Sequence, residues 1–404
     1  MTGTDSELPA ESTGGLQRSV RLLLLLGRTD FSADLKRQIS EEIRAFPDWK
    51  LFAGLAVRHG VAALIWQNLS DLGYSGVVPA TERTLLEGLR FKSIARVSWV
   101  TGVAAGVTSL LEREGIRVVL LKGLALEHTV YGSRGLRQMS DADLLVAPSD
   151  ALRARDILIR EGFSSMSLKS PLYRHIILDL GNHLPELHRG GISVDLHFRL
   201  FGPEGEEMVL NAIRDAVTIP GVGTFRVLPP MTGFLALVNH IYKHEIKGEF
   251  QLRLWTDIYL LLDRYGETIL TSQLPSAAEE AGIREETSAV LTVMERVWGV
   301  ELPEGMAAES SAAGAIVARF MHRLAHPGSA ESLSQREFFM RNLKSLRGPR
   351  KKLIFILGDI FPSVGFMKRR YNCRTKVAAF LFYPHRLGKI PWILGLLRTK
   401  NYDN

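Results

Sequence analysis

The spacing of apolar residues changes twice along this chain of 404 residues, and those changes limit the folds open to it. From residue 17 to residue 115 apolar residues recur at helical spacing, and no proline interrupts Thr81 to Glu114. Short β-rich runs then follow, and helical spacing returns at Pro230. This order predicts an α+β fold in which a small mixed β-sheet core is embedded in large N- and C-terminal helical regions.

Composition refines this division. The first residues are rich in Ser, Thr, Gly and Glu, which is typical of a disordered leader. The end of the chain is basic: from Arg341 to Asn404 it carries fifteen Lys and Arg against two acids, although the whole chain has a net charge of only +7. We therefore predict a leader, a helical region, an α/β core, a helical domain and a basic, aromatic-rich C-terminal segment at residues 1–16, 17–115, 116–228, 229–346 and 347–404.

Cysteine content and hydropathy bear on the compartment. With Cys373 as its only cysteine, the chain has no intramolecular disulfide, which fits a reducing cytoplasm. The apolar run from Leu22 to Leu26 is far shorter than the roughly 20 residues that a spanning helix needs. We predict a cytoplasmic protein, and the basic segment adds the prediction of a peripheral membrane association.

Two acids on one predicted strand are the sharpest chemical signal. Asp141 and Asp143 stand at positions i and i+2, so their carboxylates point to the same face of the strand. Adjacent carboxylates repel each other unless a cation lies between them, and oxygen ligands of this kind suit Mg²⁺ or Mn²⁺. A solvated strand end is the alternative interpretation of the same pair.

Neighbouring residues favour the metal site. The preceding strand ends at Lys122-Gly123, where a helix begins; the glycine lets backbone N–H groups approach a phosphate, and Lys122 adds a positive charge. A third acid, Asp195, lies in an otherwise apolar strand, where a shared metal would satisfy it. A salt bridge to a nearby arginine is the alternative for Asp195.

These motifs together resemble a known group of enzymes. The turn Leu121-Lys122-Gly123, the pair Asp141-x-Asp143 and the later Val194-Asp195-Leu196-His197 are similar to those of bacterial nucleotidyltransferase family proteins in the polymerase-β-like nucleotidyltransferase superfamily. The similarity extends over roughly residues 60–265. It implies that Gly123 forms the triphosphate turn and that Asp141, Asp143 and Asp195 are the catalytic carboxylates, which hold two divalent metal ions.

The resemblance implies a function. A metal-dependent enzyme of this kind transfers a nucleoside monophosphate from an NTP, such as ATP, to a hydroxyl or phosphate group of an acceptor. That acceptor is a small molecule, a peptide or a protein. Arg134 and Arg137, in the loop before Asp141, are placed to neutralise phosphate charge.

A second set of polar residues flanks the predicted site. His197 shares a strand face with Asp195 and is predicted to orient it or to touch substrate. Glu186 and His188 show the same spacing on the adjoining strand and extend this polar face. We interpret His240 and His244 as packing or supporting histidines, because no glutamate follows His240 as it does in zinc proteases.

The sequence is also compatible with two further functions. An Asp-x-Asp glycosyltransferase would use Mn²⁺ and a sugar nucleotide, although the helical first region lacks its usual doubly wound domain. A non-catalytic, degenerate nucleotidyltransferase fold would instead dock on a membrane or a polyanion through residues 341–404. Leu124 supports this second alternative. It follows the turn glycine at the position where members of the wider superfamily often have a serine. Ordinary solvated helices are the plain interpretation of the basic segment.

Overall fold

The computed structural model describes residues 10–45, 48–202, 206–219, 225–303, 306, 310–329 and 332–388. It confirms the α+β class, because helices precede and follow the short strands of a mixed sheet along the chain. The first helix begins at Ala10, inside the predicted leader, while residues 1–9 and 389–404 lie outside the described residues.

Helices occupy the first part of the chain. Asp48 caps one of them as its sequence position predicts, accepting a hydrogen bond from the Leu51 amide at 2.8 Å. The stretch without proline forms a single long helix, α5, which packs against α3, α4, α6 and β2. The bounds are α1 Ala10–Leu26, α2 Ala33–Arg44, α3 Trp49–Arg58, α4 Ala62–Asp71, α5 Ala80–Arg113 and α6 Lys122–Thr129.

Among the described helices, α5 alone is long and apolar enough to cross a membrane. One third of its most apolar stretch is buried in the protein. Core helices of soluble proteins pass the same test of length and composition, so this property does not assign α5 to a bilayer.

The described strands form one mixed sheet in the order β3-β4-β5-β2-β1-β7-β6. β1 pairs antiparallel with β2, joining Leu120 to Leu144, and parallel with β7. β4 and β5 form an antiparallel hairpin; Pro185, which has no N–H, lies outside the strand. The bounds are β1 Val119–Leu120, β2 Asp141–Leu145, β3 Ser164–Ser165, β4 Leu187–Arg189, β5 Ile192–His197, β6 Val217–Thr218 and β7 Arg226–Val227.

Twelve further helices follow α6 among the described residues. Their bounds are α7 Ala151–Arg160, α8 Glu206–Arg214, α9 Pro230–Glu245, α10 Leu252–Ile269, α11 Leu274–Glu280, α12 Arg284–Trp298, α13 Ser310–Ala325, α14 Gln335–Ser345, α15 Pro349–Ile360, α16 Val364–Arg370, α17 Lys376–Phe380 and α18 Tyr383–Leu387.

Residue contacts divide the chain into two compact units. The first unit comprises residues 1–147 and 199–333, and its core joins apolar side chains of α1, α3, α4, α9, α10 and α12. The second unit comprises residues 148–198 and 334–404; one of its clusters packs Tyr173 and Ile176 against Phe339 and Phe355. A segment inserted early in the chain therefore shares its unit with the basic C-terminal segment.

Candidate functional site

Strand β2 carries the predicted acid pair at its start. Asp141 is half-buried and Asp143 is buried, while Ala142 and Leu144 occupy the other face. Burial raises the pKa of Asp141, and the neighbouring Asp143 carboxylate raises it further, whereas Lys122, Arg137 and Arg253 act in the opposite direction. Holding the two carboxylates together therefore makes ionisation of Asp141 less favourable in the folded protein.

Lys122 supplies a counter-charge to the acid pair. Its Nζ lies 2.5 Å from Oδ1 of Asp143, and both side chains are largely buried. The Lys122 backbone is left-handed, with φ of 48°, a conformation that costs a residue with a side chain about 1–2 kcal/mol. The turn tolerates this strain where glycine would be the unstrained choice. A lysine in this conformation places its ammonium group against the acid.

Potential metal ligands meet at β2 and β5. One ligand atom from each of Asp143, Asp195 and His197 lies within 4.8 Å of the others, and we call these three residues the ligand group. Asp141 is not a member, although it shares the β2 face with Asp143. Two carboxylates and an imidazole can together coordinate a divalent cation. The imidazole nitrogen shifts the preference of such a site from Mg²⁺ towards Mn²⁺.

The loop before β2 is held by a glutamate that the sequence analysis missed. Both oxygens of Glu127, on α6, accept backbone hydrogen bonds: Oε1 from Gly135 at 2.5 Å and Oε2 from Arg137 at 2.9 Å. Glu127 is fully buried, and burial raises its pKa while these two hydrogen bonds lower it. An acid on an apolar helix was the available signal, since such a residue needs buried donors.

Arg137 ends in a buried ion pair rather than in solvent. Its Nη2 lies 2.7 Å from Oδ2 of Asp257 on α10, its Nε donates to the same carboxylate, and its Nη1 donates to the Gln138 carbonyl at 2.9 Å. Tyr131 donates to Oδ1 of Asp257 at 2.8 Å. Burial alone would lower the pKa of Arg137, but the Asp257 carboxylate outweighs it and raises that pKa. We call Glu127, Tyr131, Arg137 and Asp257 the loop anchor.

Gly123 has a packing role in this arrangement. A Cβ at this position would lie 2.7 Å from Nη1 of Arg137, closer than real Cβ contacts allow. Because Asp257 holds the guanidinium, Arg137 cannot easily move aside. The glycine therefore lets the arginine pack directly on the turn that carries Lys122.

Helix α5 holds the other side of the same loop. Arg90 donates to the Arg134 carbonyl at 2.6 Å, Ser93 donates to the Gly135 carbonyl at 2.8 Å, and Arg96 donates to the Ser140 carbonyl. Gly135 has φ of 67°, and a Cβ there would lie 2.8 Å from the Ile94 Cα. The loop's amides thus bind Glu127 and its carbonyls bind α5, so both sides of its backbone are fixed.

Arg134, Glu186 and His188 are more exposed than the residues above. Arg134 lies 3.9 Å from the exposed Asp71, a separation at which a surface pair stabilises little. Glu186 and His188 pair with each other at 3.6 Å, and His188 also lies 3.0 Å from the Ser193 hydroxyl. None of the three belongs to the ligand group found among the described residues.

Two histidines on α9 and an arginine on α10 interact electrostatically with Lys122, the acid pair or the loop anchor. The rings of His240 and His244 are 4.5 Å apart, and His244 lies 2.6 Å from Glu249. Burial lowers the pKa of His240 well below its usual value, and the Lys122 charge lowers it further. Arg253 donates to the Gln138 carbonyl, and burial lowers its pKa to about 10. The spacing of His240 and His244 was visible in the sequence, but their proximity to Lys122 was not.

Comparison with known proteins identifies the family of this chain. The model of a family described as uncharacterised nucleotidyltransferase matches residues 47–299, which is more than half of the chain and includes the turn, β2 and β5. The chain belongs to this family. A search of the curated proteins and a search of the solved structures each found no significant match.

Membership in the nucleotidyltransferase family has direct consequences. It supports an enzyme of the transferase class with an NTP as substrate. Nucleotidyltransferases typically use divalent metal ions, and the ligand group offers donors for one. The prediction of a nucleotidyltransferase family is therefore confirmed.

Proposed function

We propose that the chain is a metal-dependent nucleotidyltransferase that transfers a nucleoside monophosphate from an NTP to a hydroxyl or phosphate group of an acceptor. The observation that carries the proposal is the ligand group beside the Lys122–Asp143 pair, in a chain of this family. The acceptor we infer is a small molecule, a peptide or a protein, and the compartment is the cytoplasm.

In this proposal Asp143, Asp195 and His197 hold a divalent cation, and Asp141 serves as a further carboxylate for a metal or its waters. When bound, such a cation neutralises phosphate charge and lowers the pKa of a coordinated hydroxyl. Mn²⁺ suits the imidazole of His197 better than Mg²⁺ does, because imidazole is a softer donor than a carboxylate. We therefore expect activity with both ions and tighter binding of Mn²⁺.

The triphosphate is assigned to the turn between β1 and α6. Amide groups at the start of α6 and the Lys122 ammonium favour an anion there. For Lys122 to bind phosphate, its Nζ must leave the Asp143 oxygen, and a cation at the ligand group would take its place. Arg137 has a positioning role in this scheme, because its guanidinium is committed to Asp257.

The reaction balances with groups that the chain supplies. An oxygen of the acceptor forms a bond to the α-phosphorus. The bond between that phosphorus and the oxygen that bridges the α- and β-phosphates breaks, and pyrophosphate leaves. We assign the acceptor's proton to an Asp195 oxygen, which would then release it to water. Lys122 would offset the negative charge on the departing pyrophosphate.

The test is label transfer. The purified chain is incubated with each NTP, carrying ³²P at the α-position, and with Mn²⁺ or Mg²⁺ and a cell extract. We expect label in an acceptor from one or more NTPs, none when the label is at the γ-position, and none with Asp143→Asn. Transfer from a labelled UDP-sugar instead would favour the glycosyltransferase.

Binding measurements separate the proposal from the degenerate fold. Addition of Mn²⁺ with a non-hydrolysable NTP analogue should raise the melting temperature of the wild-type chain, and Asp143→Asn should abolish the rise. A rise without any turnover in the label assay would identify a nucleotide-binding fold that has lost catalysis. No rise and no turnover would refute the proposed function.

A further inference from the structure

A segment of the second unit exposes large apolar side chains together. Val377, Phe380 and Leu381, in and beside α17, are 74%, 57% and 76% exposed. They stand at positions i, i+3 and i+4, so they lie on one side of a helical turn. Single exposed apolar residues are ordinary on soluble proteins, but a contiguous group marks an interaction surface.

Positive charge surrounds this apolar group. Residues 361–388 contain no acid. Five of the segment's cations, Lys368, Arg369, Arg370, Arg374 and Lys376, are exposed or half-exposed. Arg386 differs from them, because it is buried and lies 3.6 Å from Oδ2 of Asp359. We call the three apolar residues and these five cations the α17 face.

The α17 face is held by specific contacts. Arg386 donates to the Asp359 carbonyl at 2.5 Å, and the Tyr383 hydroxyl donates to the Pro362 carbonyl at 2.5 Å. The rings of Tyr371 and Phe382 stack with centroids 4.5 Å apart. Met367 and Ala379 are buried beneath. The segment thus has a small core of its own, and its apolar side chains are presented outward.

We infer that the α17 face docks on an anionic lipid bilayer. Charge complementarity selects an anionic partner, because the face offers five cations and no acid. The apolar group then selects a bilayer over a nucleic acid: Val377 and Leu381 are aliphatic and cannot stack on bases, whereas they suit the boundary between headgroups and acyl chains. This inference is independent of the proposed catalysis.

Vesicle co-sedimentation of the full chain tests the inference. Vesicles of phosphatidylcholine alone are compared with vesicles containing 30% phosphatidylglycerol, a composition chosen to give about the surface charge of an anionic leaflet. We expect binding to the anionic vesicles only, and weaker binding as salt rises to about 0.5 M, where exposed charges are screened. The Asp143→Asn variant should bind equally well, which separates this result from the fate of the nucleotidyltransferase proposal.

Variants locate the contact. Val377→Ser combined with Leu381→Ser should lower the bound fraction at least tenfold, and Arg370→Glu with Lys376→Glu should do the same. A matched control is Phe91→Ser on α5, which removes a side chain that is 64% exposed in the first unit and should leave binding unchanged. Unaltered melting temperatures verify folding, since the substituted residues are exposed.

Three results would overturn the inference. The first is equal binding to neutral and anionic vesicles, or to neither. The second is an equal loss with Phe91→Ser, which would remove the assignment to the α17 face. The third is tight binding of duplex DNA or single-stranded RNA at the same salt that survives the two serine substitutions, which would make the face a nucleic-acid surface.

Discussion

Two ion pairs of this chain, Lys122–Asp143 and Arg137–Asp257, are built differently. Lys122 and Asp143 are 2.5 Å apart, and the lysine side chain keeps 21% of its exposure. Arg137 and Asp257 are 2.7 Å apart, with exposures of 6% and 0%. An ammonium group on a flexible stem can be exchanged for another cation, whereas a guanidinium fork bound through several N–H groups is fixed. The Lys122 charge beside the ligand group is therefore replaceable, whereas the Arg137 charge in the loop anchor is permanent.

Asp143→Asn tests the replaceable side and should have the largest effect. A bound cation supplies several kcal/mol of transition-state stabilisation, so its loss should lower nucleotidyl transfer by about 10³-fold or more. The metal-free protein should lose little stability, because relief of the repulsion between Asp141 and Asp143 offsets loss of the charged pair with Lys122. The assay is label transfer alongside a thermal melt. Asp215→Asn, at an exposed acid, is the matched control; an active Asp143→Asn enzyme would contradict the ligand assignment.

Asp257→Asn tests the fixed side. Removing one partner of a buried pair leaves the other charge uncompensated, so the free energy of unfolding should fall by about 3–5 kcal/mol. Denaturant unfolding measures this. Asp71→Asn breaks the exposed pair with Arg134 in the same loop and should change stability by less than about 1 kcal/mol. Equal effects of the two substitutions would remove the distinction between the anchor and a surface pair.

Gly123→Ala tests the contact between the turn and the anchor. The added Cβ would meet the guanidinium of Arg137 and should cost about 1–3 kcal/mol of stability. Gly102→Ala on α5 meets no atom within 4 Å and should instead stabilise the helix by about 0.5–1 kcal/mol. If Gly123→Ala folds as stably as wild type, then the anchor is not rigid.

The pH dependence of stability gives a smaller effect. The pKa of Asp141 is raised in the folded protein, so the unfolded chain releases its proton first and stability falls as pH rises through the folded pKa. One proton accounts for at most about 1.4 kcal/mol per pH unit. The difference in unfolding free energy between wild type and Asp141→Asn, followed without metal upward from pH 4, should therefore grow in favour of the variant. A constant difference would show that Asp141 ionises normally.

Lys122→Gly should have the smallest effect on stability. Relief of the left-handed backbone strain, about 1–2 kcal/mol, is offset by loss of the pair with Asp143. The Michaelis constant for NTP should nevertheless rise, because the ammonium is gone. Lys122→Ala removes the ammonium but keeps the strain, so it should be less stable than Lys122→Gly and equally impaired. A normal Michaelis constant in both variants would remove Lys122 from the nucleotide site.

Local features of this fold could be predicted from sequence. The strand with Asp141 and Asp143, the hairpin that carries Asp195 and the Asp48 cap all depend on residues close together in the chain. Periodicity and turn chemistry determine such elements, so a single sequence contains the information. The two strands that carry the acids were predictable for the same reason.

Long-range partners could not be predicted in this way. Arg137 and Asp257 are separated by 120 residues, and their pairing depends on how α10 packs. Glu127 binds amides of a loop whose path the sequence does not specify. The left-handed backbone of Lys122 is likewise imposed by its surroundings, because propensity alone would favour glycine there. Residues 148–198 share a compact unit with residues 334–404, which is another association between segments far apart in the chain.

The contact between α5 and the loop before β2 makes Trp99 an intrinsic fluorescent reporter. Arg96, which donates to the Ser140 carbonyl next to Asp141, also lies over the ring of Trp99 with its guanidinium 5.9 Å from the ring centroid. Trp99 is 51% exposed and is the most exposed tryptophan of the described residues. Any displacement of the loop that draws Arg96 away changes the electric field at this indole. The contribution of Trp99 to the emission, obtained by comparison with Trp99→Phe, can therefore follow movements of this loop in real time, without a label.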